Sequence, residues 1–450
     1  MIWGQDRFAD GIFDTGVCIC YLVMNKFHLM EKRAFIKRLG QSAMLAPFIP
    51  YTLGAQPENT TEGYDFDSEA DFWERIRRDY TIKPDYINLE NGYYNFIPNP
   101  TLNRYMEHIK FVNIEASYYM RTVQWDNKKR IAARLAKLVG CAPDELIITR
   151  NTTESLDMII GGYPWEAGDE AIMAEQDYGS MLDHFEQVAL RYGVVNKVVS
   201  VPNHPSSDEE IVSLYESQIG PRTKLIMVCH MINITGQILP VRKICDMAHR
   251  HGVVVMVDGA HCIGHIAVDI AALQCDYYGS SLHKWLSTPL GVGMLYVSKA
   301  NIPKIWPLLA DHVKEPGNVL RLNHTGTHPV HSDLAIDDAI DYLELLGMER
   351  KEQRLRQLQR YWSDRLRDVK HVVINTPKEQ HRSCGIANVG ITHLKPAELA
   401  QALLDEFQVF TVAIDYANVQ GCRITPNVYT TTRELDHFVE AIKTLAARKE

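Results

Sequence analysis

The chain has 450 residues, of which 46% are hydrophobic and 23% charged, and its formal net charge is −9 at pH 7. This composition is that of a folded globular protein of one to three domains. The negative charge and the lack of a basic block argue against nucleic acid as a partner. The nine Cys residues form no CxxC pair, so the sequence predicts no metal site. No apolar run is long enough to span a membrane.

Residues 1–55 form a predicted N-terminal extension. Basic side chains are concentrated in residues 31–38, and a modestly apolar stretch rich in small residues runs from Leu39 to Leu53. This succession is typical of an export signal. It resembles the twin-arginine pattern, with Lys32-Arg33 in place of the arginine pair. We therefore expect export to the periplasm. The alternative is an amphipathic N-terminal helix of a cytoplasmic protein.

A linker and a short helix are predicted over residues 56–85, and strands then alternate with helical patterns. Near-continuous apolar strands in such alternation predict an α/β fold with a mostly parallel sheet covered by helices on both faces. We assign residues 86–310 to a large domain with a seven-stranded sheet. Residues 311–450 are assigned to a smaller α+β domain, onto which the N-terminal segment packs. The predicted strands are Leu146–Thr149, Glu170–Ala174, Lys197–Val201, Leu225–His230, Val253–Val257, Cys275–Gly279 and Gly293–Val297.

Two residues carry the strongest chemical signal. Asp258 follows a buried-looking strand, at the edge of an α/β sheet where ligands gather. Lys284 follows the next predicted strand, within Ser280–Trp285. Taken singly, a helix-capping Asp and a surface Lys would be the ordinary interpretations. Together they suit pyridoxal phosphate, with Lys284 forming a Schiff base and Asp258 pairing with the pyridine nitrogen.

The segment Asn151-Thr152-Thr153-Glu154 has the pattern of a helix N-terminus, because Asn is followed three positions later by Glu. The free N–H groups of such a terminus, together with two Thr hydroxyls, can bind an anion. Simple capping without a ligand is the alternative.

These motifs run in order from about Tyr86 to Tyr429. They resemble the class V aminotransferase family of fold-type I pyridoxal-phosphate enzymes, and most closely its isopenicillin-N-epimerase-like branch. The resemblance implies pyridoxal 5'-phosphate as cofactor. It also implies phosphate contacts from Thr152, Thr153, Ser281 and His283, stacking of Tyr178 on the ring, a bond from Asn233 to the phenolic oxygen, and His261 beside the ring.

The resemblance also extends to the substrate and to a second subunit. Arg423 matches the family's Arg-x-Ser-Pro motif, with Thr425 in place of Ser, and is implied to bind a substrate α-carboxylate. Gly326-Thr327 resembles the segment that reaches the phosphate from a neighbouring subunit. We therefore expect a homodimer with interfacial active sites, acting on a small amino-acid-like molecule.

The family includes several reactions that begin with removal of a Cα proton. We predict amino-group transfer. Epimerisation and C–S or C–N lysis are the alternatives, and Tyr93, Tyr94 or Tyr429 could serve an epimerase as the second acid–base group. The stretch from Glu406 to Gln420 contains no Cys, which argues against a cysteine desulfurase. A binding protein without catalysis is not expected, because Lys284 is present together with Asp258 and Arg423.

Overall fold

The computed structural model describes residues 68–448 of the chain, so the predicted export signal lies outside the described residues. The strands, in chain order, are β1 (Ile87–Asn88), β2 (Leu146–Thr149), β3 (Glu170–Ala174), β4 (Val195–Val199), β5 (Thr223–Cys229), β6 (Val254–Asp258), β7 (Tyr277–Ser281), β8 (Gly293–Val297), β9 (Val372–Ile374), β10 (Ala387–Ile391), β11 (Val409–Phe410), β12 (Val412–Tyr416) and β13 (Val419–Ile424).

The helices alternate with these strands in the first half of the described chain and dominate the second half. In chain order they are α1 (Glu69–Arg77), α2 (Asn99–Thr122), α3 (Gln124–Val139), α4 (Thr152–Gly162), α5 (Gly179–Tyr192), α6 (Asp208–Glu216), α7 (Val241–Arg250), α8 (Ile270–Leu273), α9 (Val330–Leu346), α10 (Met348–Ser363), α11 (Pro396–Phe407) and α12 (Thr432–Ala446).

The larger sheet has seven strands in the spatial order β2-β8-β7-β6-β5-β3-β4. Strands β4, β3, β5, β6 and β7 run parallel to one another, whereas β8 runs antiparallel to both β2 and β7. The predicted mostly parallel, seven-stranded sheet is therefore confirmed. Because β5 and β6 are parallel, their carboxyl ends lie at the same edge of the large sheet. This is the edge at which an α/β sheet binds ligands.

The strands of the large sheet could be predicted from the sequence because their side chains are buried on both faces. Strands β7 and β8 are buried along their whole length, as expected for a sheet with helices on both faces. The first and last residues of the strands were predicted less accurately. The strand predicted at Lys197–Val201 occupies Val195–Val199, because its pairing with β3 starts at Val195 opposite Glu170. Apolar content marks the buried part of a strand, whereas backbone pairing decides its ends.

A second, antiparallel sheet in the order β12-β13-β10-β9 belongs to a separate hydrophobic core, which includes Trp362 and Phe438. Strand β1 pairs in parallel with β11, and Leu89 is buried in this second core. The segment that the sequence analysis placed at the start of the large domain thus packs with the C-terminal elements. This arrangement carries residues 90–93 towards the edge of the large sheet.

Among the described helices, none has the length and apolarity needed to cross a membrane. Within residues 68–448, no group of three or more His, Cys, Asp or Glu side chains is arranged to hold a metal ion.

Candidate active site

A cavity of about 280 Å³ opens at the carboxyl edge of the large sheet. It is lined by elements from both halves of the described chain. The sequence-predicted residues that line it are Thr152, Thr153, Tyr178, Asn233, Asp258, His261, Ser281, His283, Lys284 and Arg423.

Lys284 follows β7 and projects its amine into the cavity beside His261. The distance from Lys284 Nζ to His261 Nε2 is 3.0 Å. Burial lowers the pKa of Lys284 to about 8, and the nearby carboxylate of Asp258 opposes this shift. An amine that gives up its proton near neutral pH is suited both to covalent bonding with a carbonyl group and to general-base catalysis.

Asp258 is the last residue of β6 and is almost completely buried. Its Oδ1 accepts a hydrogen bond of 2.9 Å from the backbone N–H of Ala260. Burial raises the pKa of Asp258, while that hydrogen bond and the charge of Lys284 act in the opposite direction. A cationic partner such as a protonated pyridine nitrogen would compensate the cost of this buried carboxylate.

A second buried carboxyl group, Asp177, lies close enough to Asp258 for the two charges to interact and was not singled out from the sequence. Its Oδ2 accepts a hydrogen bond of 2.8 Å from the N–H of Ala174. Burial raises the pKa of Asp177 to about 7, and the charge of Asp258 contributes to the shift. Its position three residues after the end of β3 and next to Tyr178 was the available signal.

The N-terminus of α4 and the end of β7 form a polar cradle. The side chain of Asn151 caps the helix by accepting a 2.8 Å bond from Glu154 N–H, so the predicted cap is present. The hydroxyl of Ser281 lies 2.9 Å from the backbone nitrogen of Thr152 and 2.7 Å from its Oγ1. The helix terminus and these hydroxyls form a site of the kind that binds phosphate.

His283 completes this cradle. Its Nδ1 is buried and has no hydrogen-bond partner within the described part of the chain. Burial lowers its pKa to about 4. Because a buried polar atom without a partner is costly, this nitrogen calls for a ligand atom. The cradle therefore fits the phosphate group of pyridoxal phosphate.

Arg423, on β13, is held by a residue that sequence reasoning missed. Its Nη2 and Nε lie 2.6 and 3.2 Å from the carboxylate oxygens of Glu90. The exposed fractions of the two side chains are only 8% and 7%. Glu90 Oε1 also accepts the backbone N–H groups of Gly92 and Tyr93 at 3.0 and 2.9 Å. Arg423 Nη1 donates to the Asn233 carbonyl at 3.3 Å.

Gly92 is needed for this arrangement. A Cβ at this position would lie 2.9 Å from Cζ of Arg423, so only glycine lets the guanidinium pack against the backbone. The signal in the sequence was the Glu90-Asn91-Gly92 turn directly after β1. Its partner could not be inferred, because Glu90 and Arg423 are 333 positions apart.

The three tyrosines that could serve as a second acid–base group differ in their position relative to the cavity. Tyr93 lines the cavity and has an exposed fraction of 75%. Tyr94 is not among the lining residues. The buried hydroxyl of Tyr429 donates to Asn91, so it is already engaged. Tyr178 also lines the cavity.

Thr327 is exposed and does not line the cavity of its own chain. The resemblance of Gly326-Thr327 to the family segment implies that Thr327 acts in the site of a neighbouring subunit. That contribution, and the homodimer on which it depends, stay predictions.

The described cysteines do not offer a reactive thiolate. Cys422 lies on β13, and both it and Cys384 are fully buried and outside the cavity. Burial raises their pKa values to about 12. Cys229 lines the cavity, but burial raises its pKa well above the ordinary value. Because the thiolate is the nucleophilic form, sulfur-transfer chemistry finds no support among these residues.

A two-core α/β fold, a buried Lys–Asp pair and a phosphate cradle at the sheet edge define a pyridoxal-phosphate enzyme of fold type I. The chain belongs to the class-V aminotransferase family, whose model matches residues 103–436. Membership in this family makes pyridoxal 5'-phosphate its cofactor.

Two groups of named proteins are among the relatives of this chain. The chain is 27% identical to the isopenicillin N epimerase of Streptomyces clavuligerus, over 83% of the chain and 98% of that protein. The corresponding values for the isopenicillin N epimerase of Amycolatopsis lactamdurans are 28%, 84% and 99%. A probable cysteine desulfurase of Halalkalibacterium halodurans is 28% identical over 58% of the chain and 65% of that protein.

Solved structures show the same fold. The cysteine desulfurase of Thermococcus onnurineus NA1 superposes with a TM-score of 0.73 at 20% identity and covers 83% of the chain. A C-DES mutant with glycine covalently linked to its PLP cofactor has the same TM-score and identity and covers 82% of the chain. Each match covers 98% of the other chain. At this identity the likeness establishes the fold alone.

Proposed function

We propose that this protein removes the Cα proton of a small amino-acid-like substrate and transfers the substrate's amino group. The observation that carries the proposal is Lys284. Its amine lines the cavity, and burial lowers its pKa to about 8. A general base is most effective when its pKa lies near the working pH.

The bound cofactor supplies an electron sink for the pair of electrons left at Cα when the proton departs. Asp258 would hold the pyridine nitrogen in its protonated form. Ser281, His283 and the α4 terminus would hold the phosphate. Arg423 would orient the substrate through a carboxylate, because Glu90 occupies one edge of its guanidinium and the Nη1 group remains directed towards the region of Asn233.

The choice of amino-group transfer follows from the number of bases available. In a transfer, one amine would take the proton from Cα and deliver it on the same side to the aldehyde carbon of the cofactor, whereas epimerisation needs a second group that returns a proton to the opposite face of Cα. Burial lowers the pKa of His261 well below the ordinary value and that of His283 to about 4. Neither imidazole can supply a proton as an acid near pH 7. These two imidazoles therefore do not provide the second acid–base group that epimerisation needs, and Lys284 is the base that we assign.

Epimerisation is the second candidate, and two observations favour it. The relatives that match almost over their full length are named isopenicillin N epimerases. Tyr93 places a phenol at the exposed side of the cavity, where it could return a proton from the face opposite Lys284.

A single-turnover experiment separates these reactions. Holoenzyme is mixed with pooled amino acids in heavy water without a keto-acid acceptor, and products are identified by mass spectrometry. We expect release of a keto acid in an amount equal to the enzyme. Deuterium at Cα of an inverted amino acid, without keto acid, would establish epimerisation instead. Loss of a side-chain fragment would establish a lyase. Lys284→Ala is the negative control for all three.

A further inference from the structure

A chain of two hydrogen bonds leads from the buried indole of Trp285 to the amine of Lys284. The Nε1 of Trp285 donates to Nδ1 of His261 at 3.2 Å, and Nε2 of His261 lies 3.0 Å from Nζ of Lys284. Trp285 has no exposed surface, and His261 is 2% exposed. Water therefore does not compete for the contact between these two rings, whereas the amine of Lys284 reaches the cavity.

The direction of these bonds follows from the chemistry of the side chains. An indole nitrogen is a donor and cannot accept, so Nδ1 of His261 must present its lone pair to Trp285. Burial lowers the pKa of His261 well below the ordinary value, which keeps the ring neutral. A neutral imidazole whose Nδ1 is bare carries its proton on Nε2. That N–H points at Lys284, whose nitrogen must then offer a lone pair.

Trp285 is itself held on several sides. Its ring stacks on His265, with ring centroids 3.7 Å apart and planes inclined by 23°. His265 accepts the backbone N–H of Gly385 at its Nε2 (2.8 Å), so its proton lies on Nδ1 and is donated to the His261 carbonyl at 2.9 Å. The buried amine of Lys351 donates to the Trp285 carbonyl at 2.6 Å. The indole is therefore fixed relative to the His261 ring that it orients.

We propose that Trp285 is a positioning residue that locks His261 in its Nε2–H tautomer and thereby holds Lys284 as an unprotonated amine. This deepens the proposed function at its general base and rests on Lys284 having that role.

The other titratable and charged groups around Lys284 and His261 are the same in the parent protein and in the variants compared. Lys284 also faces the charges of Asp258, Arg423 and Glu90 and the thiol of Cys229. His261 also faces the charge of Arg423 and the titratable rings of His265 and His283. A change confined to the Trp285 indole leaves all of these in place. It removes the donor that prevents His261 from moving its proton to Nδ1, after which Nε2 could accept a bond from protonated Lys284, while a phenyl ring still packs against His265.

The test compares Trp285→Phe with Trp362→Phe. Trp362 is also fully buried, but its Nε1 has no hydrogen-bond partner among residues 68–448, so it controls for the loss of a buried indole. The full-length chain is freed of cofactor and labelled over a range of pH with an amine-selective reagent. Mass spectrometry then measures modification of Lys284. The midpoint should rise by roughly half to one pH unit in Trp285→Phe, the shift that one ordinary hydrogen bond produces. It should not move in Trp362→Phe.

An unchanged midpoint in Trp285→Phe, or an equal shift in both variants, would overturn the proposal. If Trp285→Phe does not fold, nitrogen NMR of the unaltered protein with labelled histidine decides the matter, with His261→Gln to assign the signal. A proton on Nε2 is expected, and a proton on Nδ1 would refute the inference. Neither measurement involves turnover, so failure here is distinct from failure of the proposed reaction.

Discussion

The ion pair between Glu90 and Arg423 gives the sharpest prediction about how the site is built. Glu90→Gln keeps the size of the side chain and an oxygen for the N–H groups of Gly92 and Tyr93. It removes the negative charge and turns an acceptor that faces the guanidinium into a donor. The side chains of Glu90 and Arg423 are only 7% and 8% exposed. The variant therefore leaves Arg423 buried without a compensating negative charge. We expect the free energy of unfolding to fall by about 3–5 kcal/mol.

Urea denaturation of Glu90→Gln, Arg423→Met and the double variant measures this effect as a cycle. Because each single change breaks the same pair, the double variant should be more stable than the sum of the two losses predicts, by about 2 kcal/mol or more. Glu406→Gln, in the surface pair with Arg448, is the control and should change stability much less, since water screens exposed pairs. Losses in the cycle that add to within about 0.5 kcal/mol would refute the reasoning.

Three further predictions concern the groups around the cofactor site. Burial raises the pKa of Asp177 to about 7, so the folded chain retains a proton that the unfolded chain loses above about pH 4. This group therefore contributes stability at low pH that is lost as the pH rises towards 7. Asp177→Asn should become more stable than the parent by up to about 4 kcal/mol at pH 8, and a difference that stays constant from pH 5 to pH 8 in thermal or urea unfolding would contradict this. A Cβ at Gly259 would lie 2.1 Å from the ring of Tyr278, so Gly259→Ala should displace the neighbouring Asp258 and weaken cofactor binding at least tenfold in a fluorescence titration. Gly317→Ala, whose Cβ would meet open space, should bind as the parent does. Finally, Lys284→Ala should fold with an unchanged circular dichroism spectrum and give no product in the single-turnover assay; full turnover would remove Lys284 from the mechanism.

The local features of the site could be predicted because they are written in contiguous residues. The apolar strand that ends in Asp258, and the strand that precedes Lys284, mark the carboxyl edge of a parallel sheet through burial and length alone. The cap at Asn151 was likewise visible, because an N-cap and its helix are neighbours in the chain. These patterns, read together, led to the cofactor and to the family.

The strand limits and the role of the opening segment were beyond the same reasoning. Strand β4 starts at Val195 because Glu170 on β3 pairs with it, and no property of the segment itself fixes that register. Residues 87–88 are a strand only through their pairing with Val409 and Phe410. A two-residue strand has too little pattern to reveal its partner, and its partner decides which core it joins.

The sequence by itself determined the class of chemistry, because Lys284, Asp258 and the capped helix each depend on residues close together in the chain. Only the tertiary structure decided how those groups are tuned. Arg423 is held by Glu90 from the opposite end of the described chain, the charge of Asp258 acts on Asp177, and Trp285 orients His261 against Lys284. Such partners are chosen by packing between distant segments, and their hydrogen bonds and pKa shifts arise only when burial excludes water from all of them together.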